Sequence, residues 1–183
     1  MEPRILLNSK QFELTINRLC YQLIENHNNF ENTCLIGLQT SGVVLASRIV
    51  ERLKHILPGV EVESGELDVT FFRDDFRRRD TPLAASSTKI DFLVENKRVV
   101  MLDDVLYTGR TIRAGMDALL GFGRPSEVEL LVLIDRRFSR HLPIEPNYTG
   151  KTVDSIASER VEVEWGPSSD SDQVVLFSTD QHP

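Results

Sequence analysis

The sequence predicts an α/β protein in which a central parallel sheet is covered by helices on both sides. Two observations predict it. Runs that are apolar without alternation, at residues 33–38, 99–102 and 128–134, are separated by stretches in which apolar residues recur every three or four positions. Strands apolar on both faces belong to sheets buried on both sides, and their alternation with helices marks a parallel sheet. Ligands of such sheets sit beyond the carboxyl ends of the strands, so the loops leaving those ends carry the interest.

The elements follow in order. Asn8 or Ser9 can cap a first helix whose buried face is Phe12, Ile16, Leu19 and Leu23, and the polar run from Glu25 to Asn32 ends it. After the 33–38 strand and a polar turn, Val44, Leu45, Ile49, Leu53 and Ile56 describe a second helix closing at Pro58-Gly59. Residues 66–72 alternate, with Leu67, Val69 and Phe71 on one side and Asp68 and Thr70 on the other, as in a strand with one buried face. From 73 to 89 the pattern vanishes, a length that suits a functional flap. The strand at 99–102, a loop at 103–110, a helix at 111–120 ended by Gly121 or Gly123, and the strand at 128–134 complete the alternation. After Asp135 the chain is expected to be irregular until late strands at 161–164 and 174–177, followed by a polar tail from 178.

A length of 183 residues and 40% hydrophobic content predict one globular domain spanning 1–183. The first residues meet charge too early for the apolar core of a signal peptide, and nothing later reaches membrane-spanning length, so a cytoplasmic protein without membrane contact is expected. Cys20 and Cys34 have neither disulfide-framework nor zinc spacing and are taken as core thiols. The sequon Asn147-Tyr148-Thr149 then has no compartment in which to be used. A net charge of −7 opposes a surface that grips nucleic acid throughout.

The segment from Val99 to Thr111 carries the chemistry. A buried strand ends in Asp103 and Asp104, whose ionised carboxyls need cations, hydroxyls or water. The next turn places Thr108, Gly109 and Thr111 at the start of a helix, where hydroxyls, backbone N–H groups and the helix dipole suit a phosphate. Vicinal hydroxyls beside a phosphate would satisfy both halves. A second anion suits Thr40-Ser41-Gly42, where another strand gives way to a helix. By contrast, Gly150-Lys151-Thr152 is no nucleotide-phosphate loop, because Glu145 stands where its first glycine is required.

The 99–111 stretch closely resembles the motif by which type I phosphoribosyltransferases bind phosphoribosyl pyrophosphate (PRPP). Further segments, at 37–46, at 65–75, and Leu142-Pro143-Ile144 with Tyr148, Gly150 and Lys151, extend the resemblance and point to the PyrR family, pyrimidine-operon regulators that also have uracil phosphoribosyltransferase activity. It covers the chain from the first helix to about Val163. It implies a type I phosphoribosyltransferase fold, with a flexible loop at 73–89 and a small hood built from about 135 to the C-terminus together with the N-terminal segment. It further implies that Asp103 and Asp104 hold the ribose hydroxyls and meet Mg²⁺ through PRPP or water, and that Val105, Leu106, Tyr107, Thr108, Gly109, Arg110 and Thr111 wrap the 5′-phosphate. Thr40, Ser41 and Gly42 would take pyrophosphate, joined by Arg73 when the flap closes, with Arg77, Arg78, Arg79 or Lys89 as further cations. The base would be read by backbone groups around Arg136 and Arg137 and covered by Ile134 or Phe138, unless Phe138 is core packing.

Two departures stand out. Ser41 replaces an arginine common in the family, which weakens the expected grip on pyrophosphate, and residues 135–141 read one residue longer than the family's Asp-Arg-Gly-His-Arg and lack its glycine. The resemblance implies uracil and PRPP as substrates, UMP as product, and a homodimer or larger homo-oligomer. The alternative is a uridine-nucleotide-sensing regulator binding RNA through Arg18, Arg136, Arg137, Arg140, His141 and Lys151, although Asn17 and Tyr21 occupy the helix face that contacts RNA in the family. A purine or orotate transferase would keep 103–111 and change only the hood.

Overall fold

A computed structural model describes residues 3–72, 87–156 and 158–178. In chain order the elements are β1 (Arg4–Leu7), α1 (Ser9–His27), β2 (Thr33–Leu38), α2 (Ser41–Ile56), β3 (Glu63–Leu67), β4 (Arg98–Leu106), α3 (Arg110–Leu119), β5 (Glu127–Arg137), β6 (Tyr148–Asp154), β7 (Glu159–Glu164) and β8 (Gln173–Ser178). Five strands form a parallel sheet in the order β3-β2-β4-β5-β6, and β1-β8-β7 form a separate antiparallel sheet. This is the expected α/β architecture.

Alternate residues of the central strands divide the core in two. Leu35, Val100, Leu102, Leu131 and Leu133 pack with Leu19 and Leu23 of α1 and Leu45, Ile49 and Leu53 of α2. Cys34, Ile36, Val99, Met101, Leu130 and Val132 pack with Ile112, Ala114, Ala118 and Leu119 of α3. Each fully buried leucine removes enough apolar surface from water to contribute about 1.5–3 kcal/mol, which is why strands with no polar face settle in the middle of the sheet. Cys20 and Cys34 are buried free thiols whose pKa values burial pushes up to about 12 and about 11. No helix among the described residues is long and apolar enough to cross a membrane.

The second sheet rests on the α1/α2 side, where Leu6, Leu7, Val161, Val163, Val174 and Leu176 join that core. Asn8 closes the intervening turn as the α1 cap, accepting from the Gln11 N–H at 2.9 Å while its own N–H donates to Gln11 Oε1 at 3.1 Å. At the lower end of the parallel sheet His27, Thr33, Glu129 and Tyr148 form a buried hydrogen-bonded group. Desolvation keeps His27 below the ordinary histidine pKa despite the Glu129 carboxylate beside it.

Four expectations need correction. The strand expected at 66–72 runs instead over Glu63–Leu67, because Asp68 Oδ1 accepts from the N–H and hydroxyl of Thr70 at 2.9 and 2.6 Å and turns the chain into a 3-10 turn, leaving Phe71 64% exposed. The expected loop at 103–110 is strand as far as Leu106, and β5 likewise continues to Arg137. Within the stretch expected to be irregular lies β6, an edge strand in which only Tyr148 and Val153 are buried, too few to show a pattern. The short β1 also went unpredicted; its pairing partner, β8, lies at the other end of the chain. The expected flap cations Arg73, Arg77, Arg78 and Arg79 lie outside the described residues. Lys89 is described and is bridged to Glu66, backbone to backbone and by a 3.4 Å ion pair.

Candidate functional site

Two strand ends and two helix starts meet at the carboxyl edge of the parallel sheet. The first junction, from β2 into α2, is close-packed: a Cβ on Gly42 would lie 2.4 Å from the Leu102 carbonyl oxygen and 3.2 Å from Asp103 Cα, and one on Gly37 would lie 2.6 Å from the Gly42 oxygen. Glycine at both positions therefore lets the start of α2 lie against β4 beside its acids. The Gln39–Thr40 peptide at this turn is cis.

The second junction, from β4 into α3, begins with the acid pair. Asp103 is only 8% exposed, and its Oδ1 accepts from the Asp104 N–H at 3.1 Å, while Asp104 Oδ1 accepts from the Val105 N–H at 2.9 Å. Burial raises the Asp104 carboxyl above its ordinary pKa, and hydrogen bonds with the Val105 N–H, Asp103 and Ser41 oppose the rise. Beyond Leu106 the chain turns through Tyr107 and Thr108 to Gly109, whose φ of +88° is a left-handed conformation open chiefly to glycine. Helix α3 starts there.

Neither α2 nor α3 has a side-chain cap or an acidic residue in its first turn. The positive dipole ends of both helices therefore suit an anion, and at α3 the Arg110 N–H makes only a long contact, 3.4 Å, with Thr108 Oγ1. A cleft of about 130 Å³ lies over the second junction, lined by Asp103 and residues 105–112. Another cleft, about 220 Å³, lies between α1, α2 and the turn at 169–172, but its arginines already face acids, Arg48 with Asp172 at 2.8 Å and Arg52 with Glu13 at 3.8 Å. The first cleft is the one that adjoins the acid pair.

The residues expected around a base divide sharply. Ile134 is wholly buried in the α1/α2 core, whereas Phe138 is 82% exposed and is therefore not core packing. Arg137 is exposed and forms a two-point ion pair with Asp154 at 2.6 and 2.8 Å. The Arg136 side chain turns inward, donating to Ser155 Oγ at 2.8 Å and to the carbonyls of Glu159 and Ile156 at 2.7 and 3.3 Å, with its guanidinium 4.1 Å from the centre of the Tyr107 ring. Arg140 donates to the Tyr107 carbonyl at 2.7 Å and pairs with Asp135. The sequence marked Arg136 as a base-reading position and both Arg136 and Arg140 as RNA-facing cations; no spacing signalled that they reach the 107–108 turn.

A family model described as phosphoribosyl transferase domain matches residues 4–172. The chain is 37% identical over 180 residues to "Bifunctional protein PyrR" of Bacillus cereus (strain AH820), covering 96% of this chain and 98% of that protein, and 37% identical over the same span to the protein of that name from Bacillus mycoides (strain KBAB4). Among solved structures, a hypoxanthine phosphoribosyltransferase from Staphylococcus aureus superposes with a TM-score of 0.66 at 18% identity, over 86% of this chain and 80% of that one. A hypoxanthine-guanine phosphoribosyltransferase from Bacillus anthracis gives 0.65 at 16%, over 88% and 87%. At those identities the structural likeness speaks for the fold alone.

Proposed function

The chain belongs to the PyrR family of phosphoribosyltransferases, and on that premise we propose that it transfers the ribose phosphate of PRPP to uracil, giving UMP and pyrophosphate. The observation that carries the proposal is the meeting of Asp103 and Asp104 with two uncapped helix starts at one edge of the sheet. One start suits the 5′-phosphate, the other suits pyrophosphate, and the acids between them suit the ribose diol. Departure of pyrophosphate builds positive charge on the sugar ring, and the paired carboxylates oppose that charge as it develops.

Asp103 and Asp104 also fit Mg²⁺ held mainly by substrate oxygens and water, since magnesium keeps much of its hydration and needs only one or two carboxylates. Bound there, the ion would neutralise the leaving pyrophosphate. For the base, the exposed Phe138 is the candidate to cover a ring face, and backbone groups near Arg137 are candidates to read its edge. We place the enzyme in the cytoplasm as a homodimer or larger homo-oligomer.

A second, regulatory activity is favoured by the word "bifunctional" in the names of the relatives. It would couple UMP binding to RNA binding. Several of its candidate cations are already engaged, however: Arg18 donates to the Thr149 carbonyl at 3.2 Å, Lys151 to the Leu6 carbonyl at 2.9 Å, and Arg137 to Asp154. Catalysis is therefore the leading reading.

The deciding experiment supplies purified protein with PRPP and Mg²⁺ and, in separate reactions, uracil, orotate, hypoxanthine and guanine. Product from uracil alone is expected. Product from a purine or from orotate instead would overturn the choice of base, and UMP binding without turnover on any base would put the regulatory reading first.

A further inference from the structure

The turn that follows the acid pair is gripped from behind by the segment 135–144. Arg140 donates to the Tyr107 carbonyl at 2.7 Å, and its other guanidinium nitrogen is tied to Asp135. The Thr108 carbonyl accepts from the N–H groups of His141 and Leu142 at 3.0 and 3.2 Å. Gly109 lies so near Ile144 that an added Cβ would come within 3.1 Å of Cδ1. The Tyr107 ring stacks on Arg136, which Ser155 and the carbonyls of Glu159 and Ile156 hold in place. Three consecutive residues are thus held by one neighbouring segment.

Peptide geometry gives this grip a direction. In a planar trans peptide the N–H points opposite to the C=O, and the peptides at 107–108 and 108–109 are both trans. With the carbonyls of Tyr107 and Thr108 drawn toward 135–144, the N–H groups of Thr108 and Gly109 are turned the opposite way. Donors fixed in advance bind an anion without the cost of ordering a loop at the moment of binding.

We propose that Arg136 and Arg140 are positioning residues for phosphate binding: touching neither base nor phosphate, they hold the 107–109 turn with its N–H groups presented to the ribose 5′-phosphate. This rests on the assignment of the 105–111 turn to that phosphate. Arginine suits both positions, since its planar guanidinium can stack on a ring and hydrogen-bond in one plane, whereas lysine offers only a point charge.

The test is calorimetric binding of ribose 5-phosphate and, separately, of pyrophosphate with Mg²⁺ to the full chain and to Arg140→Met, Arg136→Lys, Tyr107→Leu and Tyr107→Phe, together with steady-state kinetics in PRPP. Arg140→Met, Arg136→Lys and Tyr107→Leu are expected to weaken ribose 5-phosphate about tenfold, the loss of roughly one net hydrogen bond, and to leave pyrophosphate binding unchanged. KM for PRPP should rise by a similar factor at nearly constant kcat, the signature of lost uniform binding. Tyr107→Phe, which keeps a ring to stack on, should lose less ribose 5-phosphate affinity than Tyr107→Leu. Unchanged ribose 5-phosphate affinity in the three disruptive variants overturns the grip while leaving the site assignment intact, and equal loss of both ligands reduces the arginines to general stability. Failure of the unaltered chain to bind ribose 5-phosphate overturns the site assignment itself, and the grip with it.

Discussion

Ser41, the first residue of α2, lies beside Asp104 near the end of β4 and helps hold its carboxyl down against the rise that burial causes. A neutral hydroxyl thus stands beside the acid at a position where the family resemblance implies an arginine. The contact joins the two junctions of the site and favours the ionised carboxylate, against a burial that disfavours it.

The acid limb of the pH–rate profile should report this contact. Ser41→Arg puts a cation near Asp104, lowers its pKa and should move the limb to lower pH. Ser41→Ala removes the hydroxyl that favours the charged form and should move it to higher pH. Profiles of kcat/KM against pH for the two variants are expected to flank that of the parent, and coincident profiles would dissociate Ser41 from Asp104 ionisation.

Asp104→Asn should exchange activity for stability. Loss of the charge is expected to lower kcat at least about a hundredfold, the usual effect of removing one electrostatic group from a reacting centre. Stability should change in the opposite sense. The folded pKa of Asp104 is raised, so the folded chain holds its proton more tightly than the unfolded chain does. Stability linked to this carboxyl is fully present below the unfolded pKa, about 3.9, and is lost as pH rises through the folded value. Above that folded value the parent chain carries the whole penalty of a buried charge, and asparagine carries none. Thermal unfolding should show a higher Tm for the variant at pH 7, with the gap closing as the pH is lowered toward 4.

Thr108→Val should raise KM for PRPP roughly ten- to a hundredfold, the worth of one hydrogen bond to a charged phosphate, with the fold unchanged. Within the turn itself the hydroxyl has only a long contact, 3.4 Å from the Arg110 N–H, so its removal costs the free protein little. Circular dichroism like that of the parent, together with an unaltered KM, would remove Thr108 from the phosphate site.

Asp172→Asn tests how the second sheet is fastened to α2. Asp172 is wholly buried and accepts from Arg48 Nε and Nη2 at 2.8 and 3.1 Å and from the Gly166 N–H at 2.8 Å. Removing one partner of a buried ion pair leaves the other uncompensated and costs about 3–5 kcal/mol. Urea denaturation should show a loss of that order, and Arg48→Met combined with Asp172→Leu should recover a large part of it.

Some of this was legible in the residues. The 33–38 strand, the first two helices and the parallel arrangement are local patterns of apolar residues, and they appear in the structure as read. The acid pair at a strand end and the turn from Thr108 into a helix were legible because strand, turn and helix start lie together in the chain. By contrast, β1 and β6 are edge strands with few buried residues, and what makes them strands is a partner far away in sequence. The end of β3 at Leu67 was misplaced because the period-two pattern runs on through Asp68, whose side chain captures the backbone locally.

The sequence by itself determined the α/β class, the order of the central strands' connections and the place of the acids at a strand end, since each depends on residues within a few positions of one another. Tertiary structure alone decided that Arg136 turns inward to Tyr107, that Arg140 holds the turn before α3, and that Ser41 reaches Asp104. Each of those contacts joins residues about 30 to 60 positions apart through backbone directions set by sheet register, and no periodicity along the chain encodes such a direction.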